Sequence, residues 1–461
     1  MKDVSYGLSG DVKEMVLEME KLKKIKEDTF VDSMKVEVER RALASRYEEI
    51  KGSIRVYCRV RGNKPENNNN DSQKDASPRG SGLSTQEDDR ASTTSAQPEE
   101  NNLFSFPLSD DWMHPSSEHQ LCRGIALHQT RANATSTGTT VHSESFQYDR
   151  VFPPQTTQSS FYQEVEPLVL SAVDGYPVCI FAYGQTGSGK TYTMEGSVGG
   201  AVEHYGVTPR AVQTILARQE ELSKEGWRYR LRCTFIEIYN DRIRDLLQPV
   251  SLYEAGGEAY GNQNYHTIRH DSQTEQSTTT TITNLKEKEI TDFDTFRSIY
   301  RGALRNRQTA KTQLNETSSR SHCIFTIYMD GENAFIRQRS HGVLCSIDLA
   351  GSERVNDSGV QGKELKEAIN INTSLLNLGK CMYALRSLNT NSNSNVVIPW
   401  RQSKLTYFLQ HYLTGQGSKL LLIVNISNHR KHAAESLNSL RFAQRVSEVI
   451  VGPSGKRVSA Y

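Results

Sequence analysis

Apolar residues recur every seven positions along residues 11–50, a stretch with neither proline nor glycine. The spacing predicts a helix of about 60 Å that carries one side of a coiled-coil seam. The favourable positions are Met15, Leu22, Val36, Leu43 and Ile50, and Thr29 is the one polar residue in this series. The other side of the seam is poor, since it includes Lys26, Ser33 and Arg40. A solvated single helix and a coiled coil both stay open, and the charged positions would favour a different partner chain over a second copy.

Beyond Gly52, short and almost continuously apolar segments alternate with helical ones. The strand-like segments are 53–60, 177–183, 229–240, 279–285, 343–351 and 419–427, and the helical ones are 159–173, 291–309, 363–388, 403–413 and 435–450. Strands that are apolar throughout are typically buried on both faces. We therefore predict an α/β fold, in which a mostly parallel central sheet has helices on both faces and follows the long leading helix.

Residues 63–140 lack this pattern. They contain four consecutive asparagines at 67–70, clusters of Ser, Thr, Gly and Gln, and few apolar side chains. Such a composition cannot bury enough apolar surface to offset the entropy of ordering. We expect a largely disordered insertion, in which 103–108 and 122–127 are the segments able to pair as short strands.

Composition narrows the cellular setting. The chain has 461 residues, a net charge of +1 and seven scattered cysteines without a Cys-x-x-Cys pair. Cysteines inside apolar runs are typical of a reduced, intracellular environment. No apolar run approaches the roughly 18 residues of a membrane span, and the amino terminus is not signal-like. We expect a soluble protein without nucleic-acid or membrane partners, whose polyanionic ligands meet local basic patches.

The segment GQTGSGKT fits the phosphate-binding pattern G-x-x-x-x-G-K-[S/T] and directly follows the apolar strand 177–183. Glycines there let backbone N–H groups approach phosphate oxygens, and the following helix adds a favourable dipole. Lys190 would supply positive charge and Thr191 a hydroxyl for Mg²⁺. The predicted nucleotide-binding residues of this loop are Gly184, Gln185, Thr186, Gly187, Ser188, Gly189, Lys190 and Thr191.

Two further segments offer what a nucleotide hydrolase needs besides a phosphate cradle. In DLAG, Asp348 can hold a Mg²⁺-bound water and Gly351 can present its N–H to a γ-phosphate. The segment NETSSRSH, residues 315–322, places hydroxyls, an amide, an arginine and a histidine in one short run. Taken singly, the first pattern is common by chance and the second is also typical of a polar loop.

Together the three segments closely resemble the kinesin motor domain. The resemblance covers residues 53–447 and includes FIEIYNDRIRDLL, IPWRQSKLT and LNSLRFAQRV. It implies an ATP hydrolase stimulated by microtubules, with 315–322 as switch I and 348–354 as switch II. In that resemblance Thr191 and Ser319 ligate Mg²⁺, and Asp348 holds a metal-bound water.

The same resemblance assigns the catalytic residues. Asn315 and Ser318 would close over the γ-phosphate, which Gly351 would sense. Arg320 and Glu353 would form the ion pair that closes the two switches and orders the attacking water. Phosphoryl transfer asks little more of a protein than such positioning and charge stabilisation.

One departure concerns the adenine site, which reads R-x-R-P in the family and Arg59-Val60-Arg61-Gly62 here. Arg59 and Tyr192 can still flank the base, but the missing proline removes one wall. We expect weaker nucleotide affinity unless the insertion that starts at this point compensates.

The long helix enters the domain at its first strand, which resembles the C-terminal-motor class (kinesin-14), most of all its fungal members. The resemblance implies minus-end-directed movement or crosslinking of microtubules, and some fungal members pair with a related chain that does not hydrolyse ATP. A weak homodimer and such a coiled-coil partner both stay open. We expect a location in the cytoplasm, the cytoskeleton and on spindle microtubules, with a nuclear share.

The expected domains are a neck helix over 1–51, a motor domain over 52–452 and a tail over 453–461. The expected basic contacts with the acidic microtubule surface are Lys363, Lys366, Lys380, Arg386, Arg401 and Lys404. Two other functions share part of these features: a GTPase-like switch without stepping, and a microtubule-binding scaffold that retains nucleotide. The absence of a downstream N-K-x-D pattern speaks against the first, and intact Ser319, Arg320 and Glu353 speak against the second.

Overall fold

The computed structural model describes residues 2–50, 52–62, 103–107, 122–132, 139–197, 200–248, 266–272, 278–314, 320–353, 363–390, 396–414, 418–449 and 458–460. Its helices are α1 (Lys2–Ile50), α2 (Gln158–Val173), α3 (Lys190–Met194), α4 (Val207–Ser223), α5 (Phe293–Leu314), α6 (Lys363–Thr390), α7 (Lys404–Thr414) and α8 (Ala433–Ser447). None of the helices in these ranges is long and apolar enough to cross a membrane.

The strands of the same ranges are β1 (Ile54–Arg61), β2 (Phe104–Ser105), β3 (Gly124–Ala132), β4 (Thr139–Gln147), β5 (Arg150–Phe152), β6 (Pro177–Tyr183), β7 (Trp227–Tyr239), β8 (Arg242–Asp245), β9 (Ile268–Ser272), β10 (Thr278–Ile282), β11 (Lys288–Glu289), β12 (Ser321–Asn333), β13 (Gln338–Asp348), β14 (Lys419–Ser427) and β15 (Val458–Ala460). The predicted α/β class is confirmed.

The central sheet is mixed rather than mostly parallel. Its order is β11-β7-β12-β13-β6-β14-β1-β5, with β8 paired to β7 and β15 paired to β13. The half from β13 to β5 is parallel, whereas β11, β7, β12 and β13 pair antiparallel. The carboxyl ends of β6 and β13 therefore meet at one edge, where ligands bind in open α/β sheets.

Both faces of the sheet are covered, because successive strand residues point to opposite sides. Val178 and Ile180 pack with side chains of α2, α4 and α5. Cys179 and Phe181 pack with side chains of α6, α7 and α8. This double burial explains why β6 and β14 are apolar along almost their whole length.

The insertion contains more strand than the sequence predicted, although most of 63–140 lies outside the described residues. Phe104 pairs with Leu127 as expected for the two short segments, but β3 extends to Ala132 and forms an antiparallel hairpin with β4. Leu103, Phe104, Ile125 and Leu127 are buried against the main core. Tertiary burial thus orders segments whose local pattern is weak.

Candidate functional site

The phosphate loop lies between β6 and α3, as the sequence predicted. Gly184, Gly187 and Gly189 all have positive φ, which favours glycine. A side chain at Gly184 is also excluded by space, because a Cβ there would lie 2.1 Å from the carbonyl oxygen of Asn425 on β14. The loop conformation therefore depends on glycine both locally and through its neighbour strand.

Lys190 is buried at the start of α3, and its side chain crosses the loop. Its Nζ donates to the carbonyl oxygens of Gly184 at 2.8 Å and Gln185 at 3.0 Å. Burial lowers the pKa of Lys190, and the carboxylates of Asp348 and Glu353 oppose that shift. The ammonium group is thus held inside the loop, where phosphate oxygens would approach.

Thr191 and Asp348 come together although 157 residues separate them. The Thr191 hydroxyl donates to Asp348 Oδ2 at 2.6 Å. Asp348 Oδ1 is buried and lacks a hydrogen-bond partner among the described residues. A hydroxyl beside a carboxylate with an unused buried oxygen is a donor set that suits Mg²⁺ and its waters.

The switch segments are described only in part. Asn315, Ser318 and Ser319 lie outside the described residues, so their predicted roles stay predictions. Arg320 immediately precedes β12, and Gly351 and Glu353 follow β13. The predicted Arg320–Glu353 ion pair likewise stays a prediction.

Glu353, which follows β13, contacts the phosphate loop through Thr186. Its Oε2 accepts the backbone N–H of Thr186 at 2.8 Å, and its Oε1 accepts the Thr186 hydroxyl. A Cβ added at Gly351 would meet both carboxylate oxygens of Glu353. The end of β13, its acid and the phosphate loop are therefore in direct contact.

His322 connects this site to α6. Its Nδ1 accepts the backbone N–H of Ala350 at 3.1 Å, so the ring proton lies on Nε2, 2.8 Å from the hydroxyl of Ser374 on α6. Burial, together with the charges of Lys190 and Arg307, lowers the pKa of His322 to about 3. The ring is neutral at neutral pH, and its two bonds join β12, the segment after β13 and α6.

Arg59 and Tyr192, the two residues expected to flank the adenine base, lie close to each other, and Arg59 is the more deeply buried of the two. The Arg59 guanidinium lies 4.5 Å from the ring centroid of Phe161 and 5.7 Å from that of Tyr192. It donates to Gln158 Oε1 at 2.8 Å, and burial lowers the pKa of Arg59 to about 10. Tyr192 is half exposed, so its ring is accessible to a ligand, and the Arg59 guanidinium packs near that ring from the protein interior.

The cavity at this edge has a volume of about 770 Å³. It also contains residues that the sequence analysis missed, namely Arg61, Pro154, Thr156, His204 and Asn425. Arg61 donates to the carbonyl oxygen of Gly187. Arg61 is the second arginine of the segment that corresponds to R-x-R-P, although the sequence analysis gave it no role. The other four residues belong to no local motif, and only the folded structure brings them to the phosphate loop.

At Gly62, where the family motif has proline, Pro154 approaches closely. A Cβ at Gly62 would lie 2.7 Å from the Pro154 carbonyl oxygen. We expect Gly62→Pro to weaken binding of fluorescent ADP by about fivefold, because the 153–156 turn must move to admit the ring. The control is Gly302→Ala, since a Cβ there meets nothing within 4 Å. Tighter ADP binding by the proline variant would contradict this expectation.

The basic residues that the sequence analysis expected to contact the microtubule surface have different environments. Arg386 forms an ion pair with Glu448 at 2.7 Å. The Arg401 guanidinium lies 5.5 Å from the ring centroid of Tyr407, and the backbone N–H of Lys404 donates to Asp241 at 2.6 Å. Lys380 is exposed on α6, and the side chains of Lys363 and Lys366 lie outside the described residues.

A strand–glycine loop–helix cradle, a buried lysine and a hydroxyl–carboxylate pair define a P-loop nucleoside-triphosphate-binding protein. The family model described as "Kinesin motor domain" matches residues 59–449. The chain belongs to the kinesin motor domain family.

Individual relatives agree with this assignment and with the C-terminal-motor class. The chain is 37% identical over 430 residues to Carboxy-terminal kinesin 2 of Xenopus laevis, covering 92% of this chain and 57% of that protein. It is 38% identical over 414 residues to the kinesin-like protein KAR3 of Saccharomyces cerevisiae, covering 90% of this chain and 49% of that protein. The chain thus spans about half the length of the curated relatives it matches.

A solved structure has a similar fold along almost the whole chain. It is the C-terminal motor and motor homology domain of Kar3Vik1 fused to a synthetic heterodimeric coiled coil. The TM-score is 0.69 at 34% identity, with 97% of this chain and 99% of that chain covered. The likeness therefore extends beyond the central sheet.

Proposed function

We propose that this chain is a microtubule-stimulated ATP hydrolase that moves towards microtubule minus ends or crosslinks microtubules. The observation that carries the proposal is the continuous bonding from the phosphate loop to α6. Glu353 contacts Thr186 of the loop, and His322 joins Ala350 to Ser374 on α6. A change at a γ-phosphate can thus reach a helix on the surface expected to bind the track.

The nucleotide chemistry follows from the residues around the loop. Lys190 donates to phosphate oxygens once its bonds to the loop carbonyls exchange, and Tyr192 stacks on the base. Thr191 and Ser319 would hold Mg²⁺ directly and Asp348 through a bound water, and the ion would supply charge neutralisation at the β- and γ-phosphates. Gly351 then donates its N–H towards the γ-phosphate.

Water activation rests on the two switches. Asn315 and Ser318 close over the γ-phosphate, and Glu353 leaves Thr186 to pair with Arg320 and order the attacking water. Each contact contributes by placing charge and dipoles before the reaction begins. Both ring nitrogens of His322 are engaged in hydrogen bonds, to Ala350 and Ser374, so we assign His322 to positioning rather than to proton transfer.

The proposed partner is the acidic surface of the microtubule. It would be contacted by the basic residues of α6, of α7 and of the segment before α7. Lys380, Arg401 and Lys404 provide charge on this side of the molecule. Exposed charge contacts of this kind are screened by salt, with a Debye length of about 8 Å at physiological ionic strength. Microtubule affinity should therefore fall steeply as salt is added.

The neck helix has two distinct faces. Glu37 and Arg41 are buried against the motor, where Arg41 Nε lies 3.4 Å from Asp174 Oδ1 and its guanidinium lies 4.8 Å from the ring centroid of Trp227. Glu37 pairs with Arg218 of α4. The predicted seam residues Met15, Leu22, Val36 and Leu43 are exposed. Docking thus leaves the seam open to a second helix.

We expect Arg41→Ala to release α1 from the motor. The truncation removes the arginine contact of Asp174 and one of the three arginines around Glu37, which costs about 3 kcal/mol of docking free energy. Faster hydrogen exchange in 30–45 and slower microtubule gliding are the expected readouts. The matched control is Arg46→Ala on the exposed side of α1. Unchanged exchange in the Arg41 variant would contradict the docking role.

The same contact should be insensitive to pH in the physiological range. Burial alone would raise the pKa of Glu37, but Arg40, Arg41 and Arg218 lower it from 4.5 to about 2. A depressed acid pKa stabilises the docked state fully above pH 4.5, and that stabilisation is lost as pH falls towards 2. The backbone amides of 30–45 should therefore show the same hydrogen-exchange protection factors at pH 6 and at pH 8.

The exposed seam supports a coiled-coil partner, either a second copy in a weak homodimer or a related chain without hydrolysis. The second arrangement is supported by the Kar3Vik1 structure, in which a motor domain and a motor homology domain occur together, fused to a synthetic heterodimeric coiled coil. A largely monomeric protein at micromolar concentration is expected from sedimentation, and a tight homodimer there would contradict it. The corresponding location is the cytoskeleton and spindle, with a nuclear share.

The deciding experiment measures ATP turnover with and without microtubules, with GTP as competitor. A motor gives turnover that microtubules increase and GTP barely inhibits. Strong competition by GTP would indicate the GTPase-like switch, and nucleotide binding without turnover would indicate the scaffold. Gliding of surface-anchored protein on polarity-marked microtubules tests direction, and plus-end movement would contradict it.

A further inference from the structure

A buried ion pair lies outside the nucleotide contacts described so far. Arg307 on α5 donates from Nε to Glu237 Oε1 on β7 at 3.1 Å. The two side chains are only 6% and 2% exposed. Charges removed from water to this degree carry a large desolvation cost, which good geometry and further hydrogen bonds must offset.

Ser321, the first residue of β12, completes the geometry. Its hydroxyl donates to Glu237 Oε1 at 2.6 Å and accepts from Arg307 Nη2 at 3.1 Å. Helix α5 ends at Leu314, so Arg307 and Ser321 lie on opposite sides of the segment 315–319. The cluster therefore joins the chain before that segment to the chain after it.

Two more charges extend the cluster. Arg307 Nη1 lies 3.8 Å from Glu195 Oε1, and Arg244 Nη1 lies 3.6 Å from Glu237 Oε2. Glu195 directly follows α3, and its N–H donates to the carbonyl oxygen of Thr191 at 2.8 Å. The helix that carries the phosphate-binding lysine is thus connected to the same arginine. Two arginines face two carboxylates, so the cluster is balanced in charge.

A contribution to folding stability does not by itself explain why Arg307 and Glu237 form a buried ion pair. Apolar side chains of similar volume in place of a buried ion pair are often as stabilising or more so. A forked guanidinium, in contrast, fixes direction, because its planar donors meet several acceptors at set angles. Arg307 donates from Nε to β7 and from Nη2 to the start of β12, and its Nη1 forms a longer ion pair, at 3.8 Å, with Glu195 at the end of α3.

We propose that Arg307 and Glu237 are positioning residues for ATP hydrolysis, which hold both ends of segment 315–319 in fixed relation to α3. The proposal rests on the proposed function, because it concerns the geometry in which that reaction takes place. It assigns no contact with nucleotide to either residue. Loss of the cluster should therefore slow the chemical step while nucleotide affinity stays nearly unchanged.

The test compares Arg307→Met with Arg307→Lys and with Arg232→Met. Arg232 is a matched control, because it lies on β7 and pairs with Asp330 of β12 at 2.8 Å, further along these two strands from Glu237 and Ser321. We expect Arg307→Met to lower microtubule-stimulated kcat at least about tenfold, since small misplacements slow positioned reactions. Affinity for fluorescent ADP should change less than about threefold.

The lysine variant keeps the charge but loses the fork, so an intermediate kcat is expected. Arg232→Met should leave kcat and ADP affinity within about twofold of the parent. An unchanged kcat per ADP-binding site in Arg307→Met would overturn the proposal. Parallel loss of ADP binding and kcat would overturn it as well, because it would indicate a merely structural role.

A second measurement needs no turnover. Hydrogen exchange should increase at the amides of 307–325 in Arg307→Met more than in the rest of the chain, and unchanged exchange there would overturn the proposal. A parent protein without ATP turnover would contradict the proposed function instead. The exchange result would then still decide whether the cluster holds the two ends together.

Discussion

Lys190→Ala is expected to reduce nucleotide affinity at least about hundredfold, because it removes a buried, directed charge from the phosphate loop. In the structure Nζ is already held within 3.0 Å of two loop carbonyl oxygens. The cost of burying the ammonium is therefore met before nucleotide arrives, and on binding its bonds to the loop carbonyls are exchanged for bonds to phosphate oxygens. Titration with fluorescent ADP measures the loss.

The matched control for that variant is Lys224→Ala, an exposed lysine at the end of α4. It should bind ADP like the parent, with the same melting temperature. Melting curves of both variants without nucleotide show whether Lys190→Ala remains folded. A folded Lys190→Ala protein that binds ADP within about threefold of the parent would remove Lys190 from the phosphate site.

Glu353→Ala is expected to bind nucleotide normally and to lose microtubule-stimulated turnover by about a hundredfold or more. The carboxylate contacts the Thr186 backbone in the structure, and its predicted partner in the reactive state is Arg320. A group that acts on switch closure affects the transition state more than the bound ground state. Steady-state kcat with microtubules, beside ADP affinity, measures this difference.

The control is Glu332→Ala, which removes an exposed acid on β12, 3.7 Å from Arg339. Its turnover should equal that of the parent. Hydrolysis by Glu353→Ala at the parent rate would show that the assigned ion pair is wrong. A loss of ADP affinity equal to the loss of kcat would instead assign Glu353 to holding the loop through Thr186.

The bounds of elements that are apolar along their whole length could be predicted closely from the sequence. The strands β6 and β14 begin and end where the apolar runs 177–183 and 419–427 do. Continuous burial on both faces demands apolar side chains at every position, so the pattern is strong. The helix predicted over 11–50 likewise exists, although it begins at Lys2.

Elements that depend on distant partners were predicted less well. The sheet was expected to be mostly parallel, yet β12 pairs antiparallel with both β7 and β13. Strand direction depends on how connections run, which local apolarity does not encode. The hairpin β3–β4 and the pairing of β15 with β13 were missed because these short segments gain order from neighbours.

The phosphate loop, the class of fold and the family follow from the amino-acid sequence, because glycine spacing and apolar runs are local properties of the chain. The contacts that combine these parts do not follow from it. Thr191 meets Asp348, His322 meets Ser374, and Arg307 meets Glu237 across 157, 52 and 70 residues. Such pairs form only when the folded sheet brings their strands and helices together, and their energy comes from burial that no local pattern reports.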